Sequence, residues 1–414
     1  MKLIKREKYL SAIRSRLGRN MIVCITGQRR VGKTSILRTL KQSLEQGNSH
    51  SIPGEAEYRR ANVIFIDKEK SEFDAIINYT DLNDYISVRL DPDSHNYLLI
   101  DEVQDIEGFE RSLANFYDRE DMDIVVTGSN AKMFSGELAT LLSGRYLPVH
   151  VGSLSYAEFL EFHALEDSDL SLSQYLNIGG MPNLALIPVD NTEAINDYLR
   201  SIYSTIVLKD LVIREGIRNV PFLENLTRYV ADNIGKLFSA NNIANFMAVE
   251  KEKVPATTVK NYLRSLCNAY IINKVERWDI HGKQLLTTNE KYYFEDLGLR
   301  NILTSGQRRF DIEKLIENAV YLHLKGMGYT VNVGALRAGE VDFVASKGTE
   351  RAYIQVTYLL ASQETFDREY GSLLAIKDNY PKYLISMDPL HSTGTYEGVQ
   401  HIPLRKFLLS ESLP

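Results

Sequence analysis

The sequence predicts an α/β fold organised around a phosphate-binding loop, and three observations carry that prediction. An apolar, partly β-branched run, Met21 to Thr26, leads into GQRRVGKT, Gly27 to Thr34, and then into the helix-forming run TSILRTLKQSLEQ. A second apolar run, YLLIDEVQ from Tyr97 to Gln104, ends in two carboxylates, Asp101 and Glu102. A third, DIVVTGSN from Asp123 to Asn130, ends in small polar residues.

The loop fits the pattern G-x-x-x-x-G-K-[ST] at every required position. Gly27 and Gly32 give the backbone the freedom to curl. The N–H groups of Gln28, Arg29, Arg30 and Val31 can then point inward at phosphate oxygens. The helix expected from about Lys33 aims the positive end of its dipole at the same place, so Ser35 joins the expected phosphate contacts. Lys33 would reach the β- and γ-phosphates, and the Thr34 hydroxyl would ligate Mg²⁺. Asp101 is expected to hold the ion and Glu102 to polarise the attacking water. For Ser129 and Asn130, contact with the γ-phosphate or the water competes with plain turn chemistry, since Gly-Ser-Asn also makes turns. Arg145 is a candidate for neutralising charge on the γ-phosphate, against the ordinary role of a solvated surface arginine.

The rest of the composition narrows the class. No run approaches the roughly 18 continuous apolar residues of a membrane helix, and MKLIKREKYL lacks a signal-peptide core, so no membrane partner and a cytoplasmic location are expected. The two cysteines, Cys24 and Cys267, have no metal-ligand or redox spacing. Net charge is −6, unevenly spread: residues 1–60 hold 14 Lys/Arg against 4 Asp/Glu, and residues 67–123 hold 5 against 17. Solvated surfaces of opposite sign explain this, and a pairing surface between subunits, giving self-association, or between domains is the sharper alternative.

In chain order, Ile4, Tyr9, Leu10, Ile13 and Leu17 have the spacing of an amphipathic helix closed by Gly18, placed to lie near the base of a nucleotide. The connection QGNSHSIPGE precedes the strand VIFID, and RYLPVHVG reads as a strand after LLSGR. These motifs, with LSYAEF (Leu154 to Phe159) and GGMP (Gly179 to Pro182), resemble the AAA-type P-loop ATPases of bacteria and archaea that carry an appended C-terminal domain of unknown function. The resemblance spans essentially the whole chain. It implies a parallel sheet flanked by helices over residues 1–152 and ATP as ligand with Mg²⁺; read structurally, LSYAEF and GGMP are equally helix-start and turn signals of a helical lid over 153–218.

Residues 219–303 read as a winged helix: three helices, in PFLENLTRYVADNIG, SANNIANFM and ATTVKNYLRSLCNAY, then strands in IINKVERW and KYYFED. In the third helix Val259, Leu263, Leu266 and Tyr270 share one face, leaving Thr257, Lys260, Asn261 and Arg264 outward. DNA contact and a packing role are both open there, because Glu250 and Glu252 offset Lys251 and Lys253. Residues 304–414 resemble the restriction-endonuclease-like PD-(D/E)xK fold. Asp342 fits its first carboxylate, Gln355 its second position and Glu317 an auxiliary acid, while Thr357 stands where the lysine belongs; Lys347, in the turn SKGTER, is badly placed to replace it. A catalytically inactive domain is expected. The leading functional expectation is a Mg²⁺-dependent ATPase that moves its C-terminal modules. An ATP-dependent DNA-processing nuclease and a nucleotide-dependent scaffold are the alternatives.

Overall fold

In the computed structural model, residues 5–47, 61–131, 142, 144–249, 254–304, 311–337, 339–388 and 394–413 are described. Ile4, the connection after Gly47, Ser143 and the charged turn at 250–253 lie outside them. The chain divides into two compact units, residues 1–152 with 268–270, and residues 153–267 with 271–414.

The first unit is a five-stranded, all-parallel sheet in the order β2-β3-β4-β1-β5. Its strands are β1 (Ile22–Thr26), β2 (Ala61–Asp67), β3 (His95–Asp101), β4 (Met122–Gly128) and β5 (Tyr146–His150). The three central strands β1, β3 and β4 are buried at every residue, which is why they read as unbroken apolar runs. Helices α1 (Glu7–Arg14), α2 (Lys33–Glu45), α3 (Tyr79–Ser87) and α4 (Phe109–Tyr117) cover them. One core cluster joins Leu82, Ile86, Leu113 and Phe116 of α3 and α4 to Ile64, Leu98, Ile100 and Ile124 of the strands. Because β4 lies between β1 and β3, the phosphate loop and the two carboxylates leave the sheet on either side of one strand. Ligands of open α/β sheets sit at such carboxyl ends.

The second unit begins all-helical, with Tyr156–His163, Asp169–Ile178, Thr192–Thr205 and a π-helical stretch, Ile206–Arg214. Its two family motifs acquire a physical cause. Ser155 and Glu158 of LSYAEF form a reciprocal capping box, and Tyr156 and Phe159 are fully buried. The glycines of GGMP admit two close backbone approaches. A Cβ on Gly179 would lie 2.3 Å from the Gly298 nitrogen, and one on Gly180 would lie 2.4 Å from the Leu154 oxygen. That approach lets the Gly180 N–H donate to the Asp296 carboxylate (2.8 Å), which also accepts from Leu299 N (2.9 Å) as the cap of helix Leu297–Leu303.

Helices Val220–Asp232, Ala240–Val249 and Ala256–Asn268 follow in the predicted order. Val259, Leu263 and Leu266 are buried, and Thr257, Lys260, Asn261 and Arg264 are exposed; Tyr270 falls beyond the helix end. The hairpin β6 (Ile272–Asp279) and β7 (Gln284–Phe294) keeps a bridge to the segment between the first two of these helices, where Phe238 N donates to the Glu290 carbonyl (2.8 Å). It extends an eight-stranded sheet in the order β12-β13-β11-β10-β9-β8-β6-β7, through parallel pairing of Arg277 with Val333. The other strands are β8 (Thr330–Ala335), β9 (Glu340–Lys347), β10 (Glu350–Thr357), β11 (Lys382–Ser386), β12 (Gly394–Tyr396) and β13 (Val399–Pro403). One sheet therefore crosses the boundary expected after residue 303. Among the described residues no helix is long and apolar enough to cross a membrane.

Asp296 yields a pH-dependent prediction. Burial pushes its carboxyl up to about 6, against the backbone N–H donors, chiefly Leu299 and Gly180, that pull it down. An acid with a raised folded pKa takes up its proton more readily folded than unfolded. Its contribution to stability is greatest in acid and is lost as pH rises from about 4 to 6, by on the order of 3 kcal/mol. Urea unfolding of wild type and Asp296→Asn across pH 4–7 should show the difference between the two shrinking by about that amount as pH rises. Parallel pH profiles would remove Asp296 from this role.

Candidate functional site

The loop GQRRVGKT closes over the end of β1 with local geometry that explains its glycines. Gly27 has φ +148°, and a Cβ there would lie 2.0 Å from the Val151 carbonyl oxygen. Gly32, at φ +96°, is the residue before α2 and turns the loop into the helix. Arg29 is buried and pairs with Glu69 (3.4 Å), whereas Arg30 is exposed at φ +69°. Val31 is fully buried. Gln28 is also fully buried, and neither of its side-chain polar atoms has a hydrogen-bond partner among the described residues.

Lys33, Thr34, Asp101 and Glu102 come together as the sequence expects. The Lys33 ammonium donates to the carbonyls of Gly27 and Gln28 (3.0 Å each) and stands 3.7 Å from Glu102 Oε1. Thr34 Oγ1 donates to Asp101 Oδ2 (2.8 Å). Thr127, on the strand between, donates its hydroxyl to Asp101 Oδ1 (2.6 Å) and accepts from the Glu102 backbone N–H (3.0 Å). Glu102 has φ +51° and is buried; its Oε2 accepts from Ser129 Oγ (2.9 Å) and from Gln104 Nε2. Burial pushes the Asp101 carboxyl up to about 6, opposed by the hydrogen bonds from Thr127 and Thr34 and reinforced by the charges of Glu102 and Asp67. A threonine hydroxyl beside a carboxylate is hard-oxygen chemistry that suits Mg²⁺, and a lysine whose partners include two loop carbonyls stands where the loop would receive phosphate.

The remaining candidates part company. Asn130 is buried directly after β4, next to Ser129. Ser35 is exposed on the first turn of α2. Arg145 is not brought to this site. Its carbonyl accepts from Ile22 N (2.9 Å) and its guanidinium lies over the Tyr117 ring (4.8 Å), at the start of β1. The loop leaves the other end of that strand, about 13 Å away at 3.3 Å per residue. A γ-phosphate contact from Arg145 within one chain is therefore ruled out.

Sequence reasoning missed Arg6, Thr127 and Gln104. Arg6 is buried and donates to the carbonyls of Val31 (3.0 Å) and Gly152 (2.8 Å), fixing the phosphate loop to the segment after β5. Its guanidinium also lies 4.5 Å from the Tyr9 ring centre. Its only sequence signal was an arginine at the mouth of an amphipathic helix, which is also where a solvated arginine would stand.

In the second unit Asp342 (β9), Gln355 (β10) and Glu317 (helix Ile312–Gly326) do converge. The Gln355 amide accepts from Asp342 N (3.2 Å), and Lys291 of β7 bridges Glu317 (3.2 Å) and Asp342 (3.6 Å). Thr357 is buried at the end of β10, and Lys347 is held elsewhere, by the Met327 carbonyl (3.0 Å).

Comparison with known proteins agrees with this geometry. A family model described as an AAA domain matches residues 19–160, and one described as a domain of unknown function, DUF8612, matches residues 169–309. An uncharacterized protein of Haemophilus influenzae is 34% identical over 413 residues, covering 98% of this chain and 99% of its own length. The chain belongs to that family of AAA-domain proteins. An uncharacterized protein of Methanocaldococcus jannaschii is 27% identical over 91% of the chain and 84% of its own length. Among solved structures, the Walker-type ATPase of Pyrococcus abyssi covers 72% of this chain and 95% of its own, at 17% identity and a TM-score of 0.47. The AAA domain thus contains the phosphate loop, Asp101, Glu102 and Thr127 within one matched segment.

The AAA domain's dependence on Thr127 can be tested directly. Thr127→Val keeps the shape but leaves Asp101 Oδ1 and the Glu102 N–H without that partner in a buried setting, at a cost of about 1–3 kcal/mol. A chemical-denaturation midpoint within error of wild type would show that the hydroxyl is dispensable.

Proposed function

We propose that the protein is a Mg²⁺-dependent ATPase whose nucleotide site lies entirely in its first unit, and that turnover there repositions the second. The observation that carries the chemistry is the juxtaposition of Lys33, Thr34, Asp101 and Glu102 at the carboxyl ends of β1 and β3. In this reading the loop N–H groups from Gln28 to Ser35 hold phosphate, Thr34 and Asp101 hold Mg²⁺, and the ion supplies charge neutralisation on the phosphates. Lys33 leaves its loop carbonyls for the β- and γ-phosphates. Glu102, steadied by Ser129 and Gln104, orients the water that attacks the γ-phosphate, with Asn130 beside it. The division into two compact units supports the mechanical half of the proposal, since it leaves the second unit free of the hydrolytic groups.

Lys33→Ala should lower ATP affinity, whereas Glu102→Gln should bind ATP with near wild-type affinity and lose about 10²-fold or more in kcat, because it removes a group needed for the chemical step. ATP-loaded Glu102→Gln protein should also differ from the nucleotide-free protein in small-angle scattering. Wild-type turnover in either variant would withdraw the role given to that residue, and superimposable scattering would withdraw the repositioning. Arg145 can complete such a site only from a second copy of the chain. Mixing Arg145→Ala with Glu102→Gln protein should then restore part of the lost hydrolysis; two inactive proteins that stay inactive together would leave Arg145 a structural residue.

A further inference from the structure

We propose that Lys291 is a resident cation: its ammonium takes the place of a divalent ion among Glu317, Glu340 and Asp342, and so closes the nuclease-like centre of the second unit. The side chain reaches this position from β7, the outermost strand of the eight-stranded sheet. Its Nζ lies 2.8 Å from Glu340 Oε1, 3.2 Å from Glu317 Oε1 and 3.6 Å from Asp342 Oδ1. An ammonium has three N–H donors, and here three carboxylates face it, Glu317 from helix Ile312–Gly326 and Glu340 and Asp342 from β9.

The surroundings hold this arrangement in place. Tyr293, two residues along β7 on the same face, donates its hydroxyl to Glu317 Oε1 (2.5 Å), and Val356 N donates to Asp342 Oδ2 (2.9 Å). Gly235 approaches Glu317 so closely that a Cβ there would lie 2.6 Å from Oε2. The fourth acid, Glu369, is already matched by Arg368 (2.7 Å) and the Gln355 amide (2.8 Å). Only 2% of the Lys291 side chain is exposed. Burial opposes its charge, yet the three carboxylates push its pKa up, so it remains protonated. Asp342 is raised as well, by burial and then by the charge of Glu317, while the Lys291 charge opposes that rise. A divalent ion needs those same oxygens at 2.0–2.6 Å and cannot share them with an ammonium already between them. Thr357 on the strand and Lys291 in the centre are then two halves of one change: the lysine that would assist a metal is missing, and a lysine elsewhere has replaced the metal.

The test is a Mn²⁺ titration of the full-length protein without nucleotide, read by calorimetry and thermal unfolding, for wild type, Asp342→Asn, Lys291→Met and the double variant. Wild type and Asp342→Asn should show the same Mn²⁺ response, because the centre takes no ion. Lys291→Met should melt roughly 5–10 °C lower in EDTA, where three acids lose their counter-charge, and Mn²⁺ should restore it. The double variant should not be restored. If Lys291→Met is recovered only unfolded, refolding on addition of Mn²⁺ supports the proposal and failure to refold overturns it. Mn²⁺ binding by wild type that Asp342→Asn abolishes also overturns it, as does Mg²⁺- or Mn²⁺-dependent cleavage of DNA that disappears in Asp342→Ala.

Discussion

Two adjacent carboxylates at the buried end of one strand are the constraint around which the first unit is arranged. Asp101 and Glu102 leave β3 with almost no exposure, and an uncompensated buried charge is among the costliest features a fold can carry. The compensation arrives from three sides: Thr34 from α2, Thr127 and Ser129 from β4 and its exit, Lys33 from the phosphate loop. That convergence requires β4 between β1 and β3, so the strand order and the site are one requirement. The left-handed backbone at Glu102 belongs to the same solution. The Thr127 hydroxyl accepts from the N–H of that residue and so helps hold the strain.

What the sequence revealed and what it concealed follow a simple physical division. The phosphate loop was legible because its requirements are local: two glycines for the curl, then a lysine and a threonine on the next helical turn. The central strands were legible because burial on both faces leaves an unbroken apolar run. Thr127 and Lys291 were not, since each meets its acid partner 26 residues away in sequence, and only the sheet's topology brings them together. Asp296 was concealed for a related reason. It explains GGMP, but the explanation lies in backbone approach across 116 residues, which no spacing rule expresses.

Arg145 and the β6–β7 hairpin show the same limit from the other side. Arg145 carried a sound local reading, an arginine after the fourth strand, and the hairpin follows three helices as a wing does while also joining a second sheet. Local chemistry names a residue's capacities, whereas the end of the strand on which it stands decides whether they can be used. Arg145 stands at the start of β5, opposite the loop. The hairpin uses its free edge to lengthen a neighbouring sheet, which satisfies backbone groups an isolated wing would leave to solvent. It thereby carries Lys291 to acids that lie on β9 and on helix Ile312–Gly326.

The two units thus solve one electrostatic problem in different ways. In each, a lysine is set against buried carboxylates close to a sheet. Lys33 has two backbone carbonyls and one acid at 3.7 Å among its partners, and the negatively charged oxygens of a phosphate group offer stronger, charge-assisted hydrogen bonds than those neutral carbonyls do. Lys291 is held by three acids, two of them within 3.2 Å, and nothing uncharged could replace them at comparable energy. The first lysine is therefore poised to exchange partners and the second to keep them. On the functions proposed for the two sites, that difference in partners, not in residue type, is what would separate a site built for turnover from one built to stay closed.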